Sequence, residues 1–282
     1  NNSPQYIKST MTAVKSWLSH FDITIKRKLM IANAESTPTL EQEKVPEKDE
    51  LVDLFMGASL RQGTIMSFMA KSGVRPQVIG NVDGTDGLML GDFPELALVN
   101  GKWCFLEKTP RFIVRKTLSK ARHEYFSYMT KLEQQWFLAY LNDRMLRGES
   151  LNPKSPAVNP LTESPYAQKQ REGRFMMTAM VERDVRQAMR PKYNWRPYVL
   201  RSYFRTQLMI CEINNLISHS QAEFHFGHVG DMSARYSVGK GILPKQLLDT
   251  MKESFHRCEE HLDIEREVVI KEKTSDEPTD MS

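Results

Sequence analysis

The sequence predicts a mainly α-helical protein carrying one small antiparallel β-sheet. Apolar residues recur at helical spacing through most of the chain, whereas strand-like runs are confined to residues 95–129. Strands therefore do not alternate with helices, which excludes a doubly wound α/β sheet. At 282 residues with 40% apolar content, the chain can hold one large domain or two modest ones with a substantial core.

The elements follow in order. Residues 3–20 read as a helix, with Tyr6, Ile7, Met11, Val14, Trp17 and Leu18 near helical spacing. Residues 33–47 (NAESTPTLEQEKVPE) are polar, hold two prolines and show no period, so they read as a linker. Segment 1–32 is then expected to be the end of a small helical domain. Pro46 followed by Glu47, Asp49 and Glu50 opens the next helix, with acids at the positive end of its dipole. A second helical run ends at Lys71 or Ser72, with Gly73 as its stop. Four runs then read as strands: ELALV, WCFLE, RFIVRK and HEYFSYM. Asn100-Gly101 is a hairpin signal between the first two, and TLSKAR is a turn between the last two. Thr130 and Glu133 form a capping-box pair for a helix that stops at Gly148. A proline-rich loop at 149–171 follows, and further helices are expected over about 173–190, about 199–217 and after Pro244. The main domain is expected over 48–270, with 271–282 a polar, disordered tail.

Composition narrows the function classes. No apolar run approaches the ~18 residues that span a bilayer, and Asn1 to Thr12 lack the apolar core of a signal peptide. The three cysteines, Cys104, Cys211 and Cys258, have no metal-ligand spacing, so the chain reads as intracellular, with neither a disulfide scaffold nor a structural zinc. Asp83, Asp86 and Asp92 in NVDGTDGLMLGD mimic a calcium loop, but Pro94 stands where the closing glutamate belongs, so a turn-rich loop is expected. The net charge of +4 is only mildly basic; its distribution says more. Arg111 to Arg122 and Arg190 to Arg205 are two basic runs without an acid, each with aromatics, the character of phosphate-facing surfaces.

Rejoining DNA strands without an external energy source requires cations to neutralise the phosphorane-like transition state, a nucleophile that stores the bond energy covalently, and an acid for the leaving oxygen. The sequence offers each part: Arg75 in SGVRPQV after a helix end, Lys120 in TLSKAR, Arg201 in RPYVLRSYFRTQL, His228 in FGHVGDMSARY, and Tyr236 eight residues later.

Y-V-L-R-S-Y-F, then G-H, then a tyrosine eight residues on, resembles the tyrosine recombinase (phage-type integrase) family, and most nearly its archaeal site-specific integrases. G-V-R-P resembles that family's first arginine box, and the order Arg, hairpin Lys, Arg, His, Tyr agrees. The resemblance covers roughly residues 45–262 as the catalytic domain, a helical bundle with a small three-stranded sheet, and makes 1–32 the end of a core-binding domain. It implies that Arg75 and Arg201 clamp the scissile phosphate, that Lys120 protonates the leaving 5′-oxygen, that His228 hydrogen-bonds the phosphate, and that Tyr236 becomes a 3′-phosphotyrosine. It implies double-stranded DNA as partner, a homotetramer coupled through the C-terminal helix, a cytoplasmic, nucleoid-associated location, and no metal, cofactor or nucleotide. One position departs: Tyr198 stands where the family usually has histidine, and a phenol titrating near ~10 is a poorer proton shuttle than an imidazole near ~6.5. That departure favours a second reading, a DNA-binding accessory protein that has lost catalysis; a third, a type IB topoisomerase-like enzyme, shares the same chemistry.

Overall fold

A computed structural model describes residues 4–27, 30–31, 44–160, 174–228 and 244–264. The chain divides between Glu43 and Lys44 into two compact units. In the first, α1 (Pro4–His20) is a single amphipathic helix. Ile25, in the stretch that follows, lines a small apolar groove with Tyr6, Ile7, Met11 and Val14.

The second unit is built round a buried helix. After α2 (Lys48–Met56), α3 (Leu60–Lys71) begins at Ser59, whose hydroxyl accepts from the Gln62 backbone while the Gln62 side chain accepts from the Ser59 N–H. Every residue from Gly63 to Lys71 is buried. Gly63 has the Trp136 indole where a β-carbon would be, so α5 (Lys131–Leu146) packs directly on the α3 backbone. Phe68 of α3 meets Phe93, Phe112 and Phe137 at centroid distances of 6.0, 6.1 and 5.3 Å, the aromatic centre of the core. The Thr130–Glu133 capping box opens α5 as the sequence predicts.

The strands stand where expected, but they form two sheets and not one. β1 (Leu96–Val99) pairs with β2 (Lys102–Phe105) through Asn100 and Gly101, both at positive φ. β3 (Arg111–Val114) pairs with β4 (Tyr125–Tyr128), and no ladder joins the two pairs. The reason is local. The Arg111 N–H is taken by the Glu95 carboxylate (3.0 Å), whose other oxygen accepts from the Arg111 guanidinium (3.1 Å), so that donor is not available to a further strand.

The remaining helices are α4 (Pro76–Ile79), α6 (Thr178–Met189), α7 (Tyr198–Ile213), α8 (His219–His225), α9 (Lys245–Arg257) and α10 (Glu259–Leu262). The run read as 199–217 ends at Ile213 because Asn214 caps it and Asn215 turns left-handed. The run read as 173–190 starts only at Thr178, whose N–H and hydroxyl are spent on Asn81 O and Gly80 O. The end of the described chain closes the core. Asp263 accepts from the Leu132 N–H (3.1 Å) and the Thr130 hydroxyl (2.6 Å), satisfying the start of α5. Beside it the fully buried Lys71 donates to Leu262 O, and burial pushes its ammonium down to about 8. Cys211 and Cys258 are buried free thiols and Cys104 is half-buried. No described helix is long and apolar enough to cross a membrane.

Candidate active site

Three helix ends and one strand build the site. Two of the helix ends are left-handed glycine turns. At the end of α3, Gly73 adopts φ +63 with the Phe204 ring against it, and the chain turns so that Arg75 becomes the N-cap of α4. At the end of α8, the Gly227 N–H donates to Phe224 O (2.9 Å) and the His228 N–H to Glu223 O (3.0 Å), the paired bonds of a Schellman turn about Gly227 at φ +71. The G-H pair is thus a helix terminator that delivers a histidine. Gly227 lies against the ring of Tyr125 on β4.

Arg201, in the first turns of α7, spans both glycine turns. Its Nη1 donates to Gly73 O and its Nη2 to Phe226 O (2.8 Å), and its guanidinium carbon lies 3.7 Å from the Phe226 ring centroid. The residue is 1% exposed, and among the described residues its buried Nε has no hydrogen-bond partner. Its anchors are neutral carbonyls at helix ends, where the dipole favours a cation. Burial pushes Arg201 down to about 10, and Arg75 adds repulsion from beside it. Among the described residues neither Arg75 nor Arg201 has a carboxylate partner. Burial of a guanidinium without a counter-ion costs several kcal/mol; an anion received between the two arginines offsets that cost.

Tyr125 belongs to the same cluster. Burial raises its phenol, against the pull of Arg201 and Arg75, and Tyr198 acts on both Tyr125 and Arg201. Tyr198 is half exposed at the first position of α7. The ring of His228 meets the edge of Phe226 at 4.8 Å, so His228 and Arg201 flank one aromatic. Its Nδ1 pairs with Glu223 Oε2 at 2.6 Å. His225, three residues earlier, is buried against Phe126, Tyr128 and Phe255, and Nδ1 meets Phe126 O at 3.3 Å; it belongs to the core.

The structure therefore brings together Arg75, Arg201, Tyr198 and His228. Lys120 is exposed in the β3–β4 connection, residues 115–124, which leads into Tyr125. That connection is tied down at its base: Arg115 donates to Asp92 (3.0 Å), Asp86 (2.8 Å) and Gly87 O (2.5 Å), and the Thr117 hydroxyl donates to Asp86 (3.1 Å). The acidic loop is thus a clamp for the lysine hairpin. Tyr236 lies outside the described residues. Sequence reasoning missed Tyr125, for which no local signal exists, and Glu223, whose five-residue spacing from a helix-ending G-H places its side chain beside the histidine.

No family model matches the chain, and no curated protein matches it. Among solved structures, the chain is similar to an integrase from mycobacterium phage Brujita, at 15% identity over 94% of this chain and 75% of that one, with a TM-score of 0.46. It is also similar to a XerA recombinase, at 17% identity over 86% of this chain and 78% of that one, with a TM-score of 0.39.

Proposed function

We propose that this chain is a site-specific DNA recombinase that cuts and rejoins strands through a 3′-phosphotyrosine on Tyr236, akin to the archaeal integrases its motifs resemble. One observation carries the reading: Arg201 is buried beside Arg75, held by the carbonyls of Gly73 and Phe226, and among the described residues neither arginine has a carboxylate partner. Two adjacent guanidinium forks match the oxygens of a backbone phosphate.

In the reaction so assigned, Tyr236 Oη attacks phosphorus and gives up its proton to solvent, the P–O5′ bond breaks as the P–Oη bond forms, and Lys120 gives its proton to O5′. Arg75, Arg201 and His228 bear the charge that grows on the non-bridging oxygens. The 5′-hydroxyl of a partner duplex then reverses the step and releases the phenol. Double-stranded DNA is the partner, residues 1–32 are the end of a core-binding domain, residues 33–47 are a linker, and α9 couples protomers into a tetramer on paired sites. The reading places the protein in the cytoplasm, on the nucleoid, without metal, cofactor or nucleotide.

A nicked duplex that traps the intermediate tests this, built on sequences enriched by binding from a random duplex pool. A covalent protein–DNA adduct is expected, and Tyr236→Phe abolishes it. A second reading, a binding protein that has lost catalysis, is favoured by Tyr198 in the place of a histidine; tight, salt-sensitive binding with no adduct under any condition selects it. Relaxation of supercoiled plasmid without any sequence requirement would select a topoisomerase-like activity.

A further inference from the structure

We propose that Glu223 is a positioning residue of this site, orienting the His228 imidazole toward the phosphate; the inference rests on the recombinase reading for what that imidazole addresses. The geometry is a relay across two helices. Glu223 Oε2 holds His228 Nδ1 at 2.6 Å while Glu223 Oε1 takes Arg205 Nη2 at 3.0 Å. Arg205 Nη1 holds Glu212 Oε1 at 2.6 Å, and Glu212 Oε2 holds His219 Nδ1 at 2.9 Å. Glu223 is thus anchored through its second oxygen by a cation from α7, the helix that also carries Arg201. The backbone reinforces the pairing, because the His228 N–H donates to Glu223 O, so one residue fixes both the main chain and the ring of the histidine.

The chemical consequence follows from the two ring nitrogens. A carboxylate on Nδ1 requires a proton there, so the neutral ring presents Nε2 as an acceptor and the protonated ring presents Nε2–H as a donor. In either state Nε2 is the nitrogen that can address a phosphate oxygen. Without Glu223 the carboxylate no longer holds the proton of the neutral ring at Nδ1 or fixes that edge of the ring. Carboxylates that orient metal-bound histidines through the far ring nitrogen are worth about 10- to 100-fold in affinity or activity, and an effect of that size is expected here.

The test uses the full chain labelled with ¹⁵N-histidine. Long-range ¹H–¹⁵N spectra, with His228 assigned by its loss in His228→Gln, are expected to show a neutral ring protonated at Nδ1, and Glu223→Gln is expected to lose that preference. On the nicked duplex, Glu223→Gln is expected to slow adduct formation about 10- to 100-fold with DNA affinity within about twofold, since phosphate contacts elsewhere carry binding. Glu223→Asp recovers part of the rate, which a merely structural role would not require. An unchanged tautomer in folded Glu223→Gln overturns the proposal, and so does an unchanged adduct rate. If the wild type forms no adduct while its His228 is protonated at Nδ1 and the variant's is not, the recombinase reading fails and the positioning of the ring stands.

Discussion

Gly227 and Tyr125 meet so closely that a β-carbon on the glycine would lie 2.5 Å from Cζ of the phenol ring. That contact joins the end of α8 to β4, and so joins His228 to the strand that follows the lysine hairpin. Gly227→Ala meets both the clash and the cost of φ +71, about 1–2 kcal/mol for the backbone alone. The expected result is a clear fall in denaturation midpoint and a larger fall in adduct formation than in DNA binding. Urea unfolding and the nicked-duplex assay measure the two.

Arg201 and Arg75 separate structure from chemistry. Arg201→Lys keeps a charge but cannot reach both Gly73 O and Phe226 O, so it is expected to lose about 2–4 kcal/mol of stability as well as activity. Arg75 is only half-buried, with no carboxylate partner among the described residues, so Arg75→Ala is expected to leave the melting temperature almost unchanged. Its adduct rate should nevertheless fall by on the order of 10²–10³, the size of a lost transition-state donor. A folded Arg75→Ala protein with wild-type cleavage would remove that arginine from the site.

The Arg115 clamp predicts that the lysine hairpin can be loosened from a distance. Arg115→Ala abandons Asp86, Asp92 and Gly87 O together, for a cost of about 1–3 kcal/mol. Hydrogen exchange in residues 115–124 is expected to rise, and adduct formation to fall, while Asp83→Ala changes neither. Equal effects of the two substitutions would contradict the clamp.

His225 sets an acid limit on stability. Burial pushes its imidazole from 6.5 down to about 4, so below pH 6.5 the unfolded chain binds the proton that the folded chain refuses. The stability held by the neutral ring is complete above about 6.5 and drains as the pH falls through 4, on the order of 3 kcal/mol in all. His225→Gln is expected to flatten the pH dependence of unfolding free energy between pH 6.5 and 4. Denaturant titrations at several pH values, compared with the wild type, measure that slope.

Much of the fold was legible because its signals are local. The Thr130–Glu133 box, the Asn100-Gly101 turn and the Gly73 stop each act within a few residues, and each stands where its chemistry puts it. The sheet was misread because Glu95 takes the Arg111 N–H, a competition between side chain and strand that alternation alone does not reveal. The order of Arg75, Lys120, Arg201 and His228 named the candidate chemistry, but not one distance between them.

The sequence alone determined the helices, the turns and the residue types that a phosphate would need, since periodicity, capping and left-handed glycines are encoded over one or two helical turns. Only the tertiary structure decided that Gly73 and Phe226, 128 and 25 residues from Arg201, lend it their carbonyls. It also decided that the Tyr125 ring packs against Gly227 and that Glu223 shares its carboxylate between Arg205 and His228. Those partners are chosen by how buried helices pack, and packing joins residues whose separation along the chain carries no signal.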